Sequence, residues 1–276
     1  MKLALSVRIV ESACKTRLQI PFQDLVSIAK TSGYDAICMR ASAGGVDTPR
    51  HKLARLRAVV ADAGLRVSMV TTDVDVPLNN DLGPNSLRNI GPSLDVAEAL
   101  DCDLIRVCLK RREDISFART AADQAAERGV RIAHQCHTAT LFEEVDSILS
   151  VLSEINRHNF GLIYEPANLL LCGQSYALDT LTRIQPFLMN VYVQNHRLDR
   201  CGPESLTTYC RGEVRFHHLD PWDAGGVDFR AVLESLQSID YDGYFTIHQA
   251  QGITTASEAG LFATRCAKFV RSYLPN

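Results

Sequence analysis

The sequence predicts an α/β fold, a single (β/α)8 barrel filling residues 1–276. Three observations carry this expectation. Short apolar runs alternate with amphipathic stretches, and most run ends recur roughly every 30 residues, the period of one strand–helix unit. There are eight such runs, the first at the N-terminus, in a chain of 276 residues, a length that suits a closed barrel of about 250. The last four runs end in polar residues, Gln135, Glu165, Gln194 and His248, and strands of such a barrel deliver their C-terminal residues into one mouth. An open doubly wound sheet is the alternative. No GxGxxG follows the first run, so neither a dinucleotide fold nor a nucleotide cofactor is expected.

Leu3–Val7 is the first strand, and Pro21 opens a helix to Lys30 that Ser32-Gly33 closes. Asp35–Met39 is the second strand, with Arg40 at its end. Thr48-Pro49 starts a helix whose Leu53, Leu56, Val59 and Val60 share a face, and Gly64 stops it. Arg66–Thr71 is the third strand. The next helix spans Asn85–Leu100, with Gly91-Pro92 either interrupting it or marking its true start, since proline clashes with a preceding helical turn.

Leu104–Leu109 is the fourth strand, and an alanine-rich helix over Asp114–Arg128 ends at Gly129. Val130–Gln135 is the fifth strand. Leu141, Val145, Ile148, Leu149, Leu152 and Ile155 form the stripe of an amphipathic helix. Gly161–Glu165 is the sixth strand, followed by a helix near Tyr176–Ile184 that Pro186 ends. Val191–Gln194 is the seventh. The stretch from Asn195 to Gly226 reads as a long loop, and loops of that length are usually functional or mobile. A helix over Asp228–Ile239, the eighth strand Tyr244–His248 and a closing helix Ala256–Tyr273 complete the chain.

Composition narrows the partners. A formal net charge of −3 argues against a nucleic-acid surface, which is usually strongly basic. No apolar run approaches the ~20 residues of a membrane span, and the N-terminus lacks a signal peptide's long apolar core. Nine cysteines, an odd number without CxxC pairs, suggest reduced thiols in a cytoplasmic protein rather than a disulfide frame.

Four segments carry a resemblance. AERGVRIAHQCH (Ala126–His137), LIYEPAN (Leu162–Asn168), GGVDF (Gly225–Phe229) and YDGYFTIH (Tyr241–His248) resemble the strand-end motifs of the xylose isomerase-like TIM barrels, also called AP-endonuclease family 2. That superfamily holds sugar isomerases, epimerases and dehydratases. The resemblance implies a metal held by Glu, Asp, His and Glu from strands five to eight, with both Glu residues able to move protons. Those positions here are Gln135, Glu165, Gln194 and His248. None keeps the family's residue, and only Glu165 is a carboxylate.

Amide oxygens bind hard cations weakly, so Mg²⁺ affinity should fall, while histidine favours Mn²⁺, Fe²⁺, Co²⁺ or Zn²⁺. A divalent metal is therefore left open, beside a site whose polar residues hydrogen-bond substrate directly. Glutamine carries no titratable proton, so epimerisation by two glutamates cannot be copied. Candidate catalytic groups are Glu165, His248 and His137, histidine needing little tuning to work near neutral pH. His134 should point into the helix layer, because side chains alternate along a strand.

Candidate substrate-binding residues are Arg40, Asn168, His196 and Trp222. Arg40 would hold an anionic group and Trp222 would stack on a sugar ring, although an acid partner for the first and loop packing for the second are equally ordinary fates. The expectation is an isomerase or epimerase acting on a small keto sugar, sugar acid or cyclitol by proton transfer beside a carbonyl. A lyase, dehydratase or hydrolase on the same fold, and a non-catalytic sugar-binding pseudoenzyme, are the rivals. A homo-oligomer is left open.

Overall fold

The computed structural model describes residues 1–274. Eight parallel strands close into a barrel in sequence order: β1 (Lys2–Ser6), β2 (Ala36–Arg40), β3 (Arg66–Thr71), β4 (Leu104–Val107), β5 (Arg131–Gln135), β6 (Phe160–Tyr164), β7 (Leu188–Val193) and, after an intervening sheet, β11 (Tyr244–Ile247), which pairs with both β7 and β1. This is the (β/α)8 fold the sequence predicts.

The outer layer contains α1 (Phe22–Thr31), α2 (Arg50–Asp62), three short helices α3 (Asp75–Leu78), α4 (Asn85–Arg88) and α5 (Gly91–Ala99), then α6 (Asp114–Glu127), α7 (Val145–Ile155), α8 (Pro166–Leu171), α9 (Leu178–Ile184), α10 (Phe229–Ser238) and α11 (Ala256–Arg271). The helix expected over Asn85–Leu100 is two, and Pro92 lies in the first turn of α5, where its missing N–H costs nothing. Thr255 and Glu258 form a capping box on α11, satisfying two N–H groups of that helix start.

Strand alternation sorts the side chains into two layers. Cys38, Met69, Leu104, Ala133, Ile163 and Tyr192 pack together as a plug inside the barrel. Their strand neighbours Ile37, Ile105, Ile132, Leu162 and Val191 belong to the larger core between sheet and helices. A strand repeats its facing every two residues. Two residues beyond the plug, Arg40, Arg106, Gln135, Glu165 and Gln194 therefore form the next inward layer. His248 joins it two residues after Thr246, whose hydroxyl bonds Asn190 Oδ1 at 3.0 Å.

Asn195–Gly226 is not an irregular loop. It forms an antiparallel sheet of β8 (Asn195–Leu198), β9 (Glu204–Thr208) and β10 (Gly212–Leu219), in the order β8-β10-β9. Asn195 closes its base. Its Oδ1 accepts Val227 N–H at 2.8 Å and its Nδ2 donates to Asp220 O at 2.9 Å. Gly226 is required there, because a Cβ would lie 2.3 Å from Asn195 Oδ1.

All nine cysteines are free, Cys14 and Cys201 being exposed. Among the described residues, no helix is long and apolar enough to cross a membrane.

Candidate active site

The four positions singled out in the sequence converge at the C-terminal end of the barrel. Gln135 ends β5, while Glu165, Gln194 and His248 directly follow β6, β7 and β11. All four are buried, Glu165 completely. Asn168, in the first turn of α8, links two of them, Glu165 and Gln194. Its Nδ2 donates to Glu165 Oε2 at 2.9 Å and to Cys136 O at 2.8 Å, and its Oδ1 accepts from Gln194 Nε2 at 3.5 Å. Pro166 and the Glu165 N-cap start this helix, so the catalytic carboxylate candidate and its partner sit one turn apart.

Several buried polar atoms here lack partners: Gln135 Oε1, Glu165 Oε1, His248 Nδ1 and Arg106 Nε. They come from β4 and β5 and from the residues directly after β6 and β11. Buried polar groups are nearly always satisfied, and these four exceptions share one inward layer of the barrel.

The electrostatics are lopsided. Burial pushes the Glu165 carboxyl well above its ordinary value, with Arg106 and Gln194 opposing, so it favours the protonated form. Burial also holds His248 well below the usual histidine range, and Arg40, Arg106, Arg8 and Lys15 all push the same way. The His248 ring is fixed by stacking on Tyr192, centroids 3.7 Å apart. Glu11 accepts from Arg40 Nε at 2.7 Å and from Ser42 Oγ at 2.5 Å, and lies 3.7 Å from Arg8 Nη1. The mouth thus sets Arg8, Lys15, Arg40 and Arg106 against the single paired acid Glu11 and a carboxyl that resists ionising.

The other expected residues divide. Arg40 is inside the mouth, but its charge is already paired with Glu11. His137 lies half-buried at the rim. Its Nδ1 meets Thr138 O at 2.9 Å, which makes Nδ1 the donor and leaves Nε2 as a base. His196 is one step removed: its Nδ1 pairs with His218 Nδ1 at 3.1 Å, and Gln249, next to His248, donates to His218 Nε2 at 3.2 Å. Burial lowers His196 to about 3, so it stays neutral.

Trp222 lies in the segment between β10 and α10. It packs against Phe262 and under the Arg265 guanidinium, 3.9 Å from the ring, both on α11. His134 stacks on Phe142 of the outer core at 4.0 Å, as strand alternation requires.

Sequence reasoning missed Arg8, Glu11 and Lys15. Arg8 lies on the 3-10 turn Val7–Val10 that follows β1 and is capped by Ser6 Oγ, and Glu11 is the C-cap of that turn. A polar pair just past a strand end was the available signal. Lys15 donates to Pro77 O at 2.5 Å, and Lys110 to Asn79 O at 2.7 Å, while Asn79 Nδ2 reaches Thr138 O at 2.8 Å. These bonds draw the segment after β3 across the mouth. A separate cleft of about 940 Å³ opens at the opposite end, around Lys2, Arg66, Asp103, Arg131 and Tyr244. Four of these are first residues of strands, and that face of a barrel serves stability rather than chemistry.

A closed (β/α)8 barrel with polar strand ends gathered in one buried mouth defines the class. The chain belongs to the xylose isomerase-like TIM barrel family, whose sequence profile matches residues 26–260. An inosose dehydratase of Geobacillus thermodenitrificans is 22% identical over 151 residues, 54% of this chain and 50% of that protein. The match therefore spans half the length of that relative. A probable 3-DHS dehydratase of Bacillus anthracis superposes with a TM-score of 0.72 at 15% identity, over 98% of this chain and 99% of that one. A D-psicose 3-epimerase of Clostridium cellulolyticum with D-tagatose gives 0.70 at 13% identity, over 100% of both. At such identities the likeness concerns the fold.

Proposed function

We propose that this protein is an enzyme acting on a small, anionic, carbohydrate-like substrate, a polyhydroxylated keto acid or sugar acid, by proton transfer beside a carbonyl. The observation that carries the proposal is the unpartnered quartet Gln135 Oε1, Glu165 Oε1, His248 Nδ1 and Arg106 Nε. A substrate carboxylate or enolate oxygen pairs with Arg106. Hydroxyls donate to Gln135 Oε1. His248, held neutral, takes the proton, and Glu165, held protonated, gives one to the departing oxygen.

One base and one acid suit elimination of water better than epimerisation, which needs a base on each face of the carbon. Dehydration is therefore the favoured reaction, and the relatives above include an inosose dehydratase and a probable 3-DHS dehydratase beside an epimerase.

The family's metal fits this mouth poorly. Gln135, Glu165 and His248 do offer free acceptor atoms. However, the set contains one carboxylate that resists ionising and faces Arg106, and hard cations need anionic oxygens.

The test is a panel of aldonic, uronic and keto acids, cyclitols and neutral keto sugars, followed by proton NMR in D2O. The expected result is loss or exchange of the hydrogen beside the carbonyl of an anionic member, abolished in His248→Ala and Glu165→Gln. Neutral sugars turning over as well as their acids would overturn the anionic assignment.

A further inference from the structure

A second cluster lies outside the mouth. Glu143 follows β5 in the loop before α7, Cys172 is the C-cap of α8, and Cys210 sits in the turn between β9 and β10. Their ligand atoms all lie within 4.8 Å of one another, and among the described residues no other trio of His, Cys, Asp or Glu does so. Glu143 and Cys172 are buried and Cys210 is half-exposed.

Glu143 is oriented with care. Its carboxylate accepts Ala139 N–H at 2.5 Å, Tyr209 N–H at 2.8 Å and Cys210 N–H at 2.8 Å. Arg211 Nη1 reaches Leu171 O at 3.1 Å, and Cys210 Sγ lies 3.7 Å from Cys172 O. The hairpin tip is thus docked on the end of α8, with two thiols and a carboxylate facing one point.

We propose that Glu143, Cys172 and Cys210 form a binding site for one thiophilic divalent cation, Zn²⁺ being the type. Bonds of about 2.3 Å to sulfur and 2.0–2.2 Å to oxygen place tetrahedral ligand atoms roughly 3.5–3.8 Å apart, inside the spread seen here. Water takes the fourth position on the half-exposed side. Two thiolates reject hard cations such as Mg²⁺ and Ca²⁺. Binding displaces the two thiol protons to solvent, and the excess negative charge of the loaded site sits beside Arg211.

The consequence is a brace. α8 carries Glu165 at its N-cap and Cys172 at its C-cap, so a cation at Cys172 would pin both the outer sheet and the helix that positions the mouth's carboxyl.

The full chain is stripped with a chelator under reducing conditions and titrated with Co²⁺. The expected result is a thiolate-to-cobalt charge-transfer band saturating at one equivalent, removed by excess Zn²⁺, with a higher melting temperature in the loaded protein. Cys172→Ser and Cys210→Ser should abolish the band and weaken Zn²⁺ binding by more than the ~10–100-fold that outer-sphere changes cost. Cys210 lies in a half-exposed turn, so Cys210→Ser decides the question even if the buried Cys172→Ser fails to fold. Absence of the band, its survival in Cys210→Ser, or a protein isolated with a Cys172–Cys210 disulfide that binds no cation once reduced would each overturn the proposal.

Discussion

The imidazole of His248 lies flat on the phenol ring of Tyr192, with centroids 3.7 Å and planes 10° apart. The stack leaves Nδ1 buried and without a partner. Replacing His248 with Phe keeps the stack and removes the nitrogen. Activity should fall by the ~10²–10⁴ typical of an acid–base group, while the melting temperature stays near the parent's. A variant that melts much earlier would make the residue a packing element first.

Glu165 gives a prediction about stability and pH. Its folded value is raised by burial, so above its ordinary value the unfolded chain ionises more readily than the folded one. Folding is then most favoured in acid and loses stability as pH rises from about 4 toward the folded value. Glu165→Gln copies the protonated form. It should melt higher than the parent at pH 7–8, by roughly 2–4 °C per kcal/mol of relief, and the gap should close as pH drops to about 4. Activity should fall at every pH. Melting curves across that range check it, and a less stable variant at neutral pH would contradict it.

Lys15 is lowered from 10.5 to about 7, first by burial and then by Arg8, Arg40 and Arg106. Below pH 7 it adds a fourth positive charge to the mouth, and above it does not. Binding of an anionic ligand should weaken as pH rises through about 7, and Lys15→Met should flatten that dependence. The same shift predicts that stability contributed at this site rises between about pH 7 and 10.5, because there the unfolded chain holds a proton the folded chain has lost. Calorimetric titration with a sugar acid at pH 6 and 8 separates the two proteins.

The poor fit of the mouth to a metal is testable by restoring acids. Gln135→Glu with His248→Glu places two carboxylates beside Glu165. Mn²⁺ should raise the melting temperature of this variant more than it does the parent's, because the cation offsets the repulsion among them. An equal response would mean that these three positions do not meet at one centre.

The barrel was legible because its strands alternate and its helices carry apolar stripes, so even the outward aim of His134 followed from period alone. α8 was not legible. It has six residues, and Leu169, Leu170 and Leu171 offer no helical spacing. The sheet β8–β9–β10 was hidden for a related reason: four of the five residues of β9 are exposed, so no apolar alternation betrays it. In the mouth, strand ends announced Gln135, Glu165, Gln194 and His248. The Glu11–Arg40 pair spans 29 residues of sequence and arises only when β1 and β2 lie side by side. The same holds for the cations around Lys15, which local pattern cannot assemble.

The chain leaves the barrel at Asn195 and re-enters at Val227, and the Asn195 side chain bonds the returning backbone directly. β7 and β11 pair directly, so the length of the excursion does not set how the barrel closes, and its tip is tied to the outer layer again at Glu143 and Leu171. Asn195 and Gly226 form the seam of that excursion, and the docked hairpin tip is the second place where a change within it would be felt by the barrel.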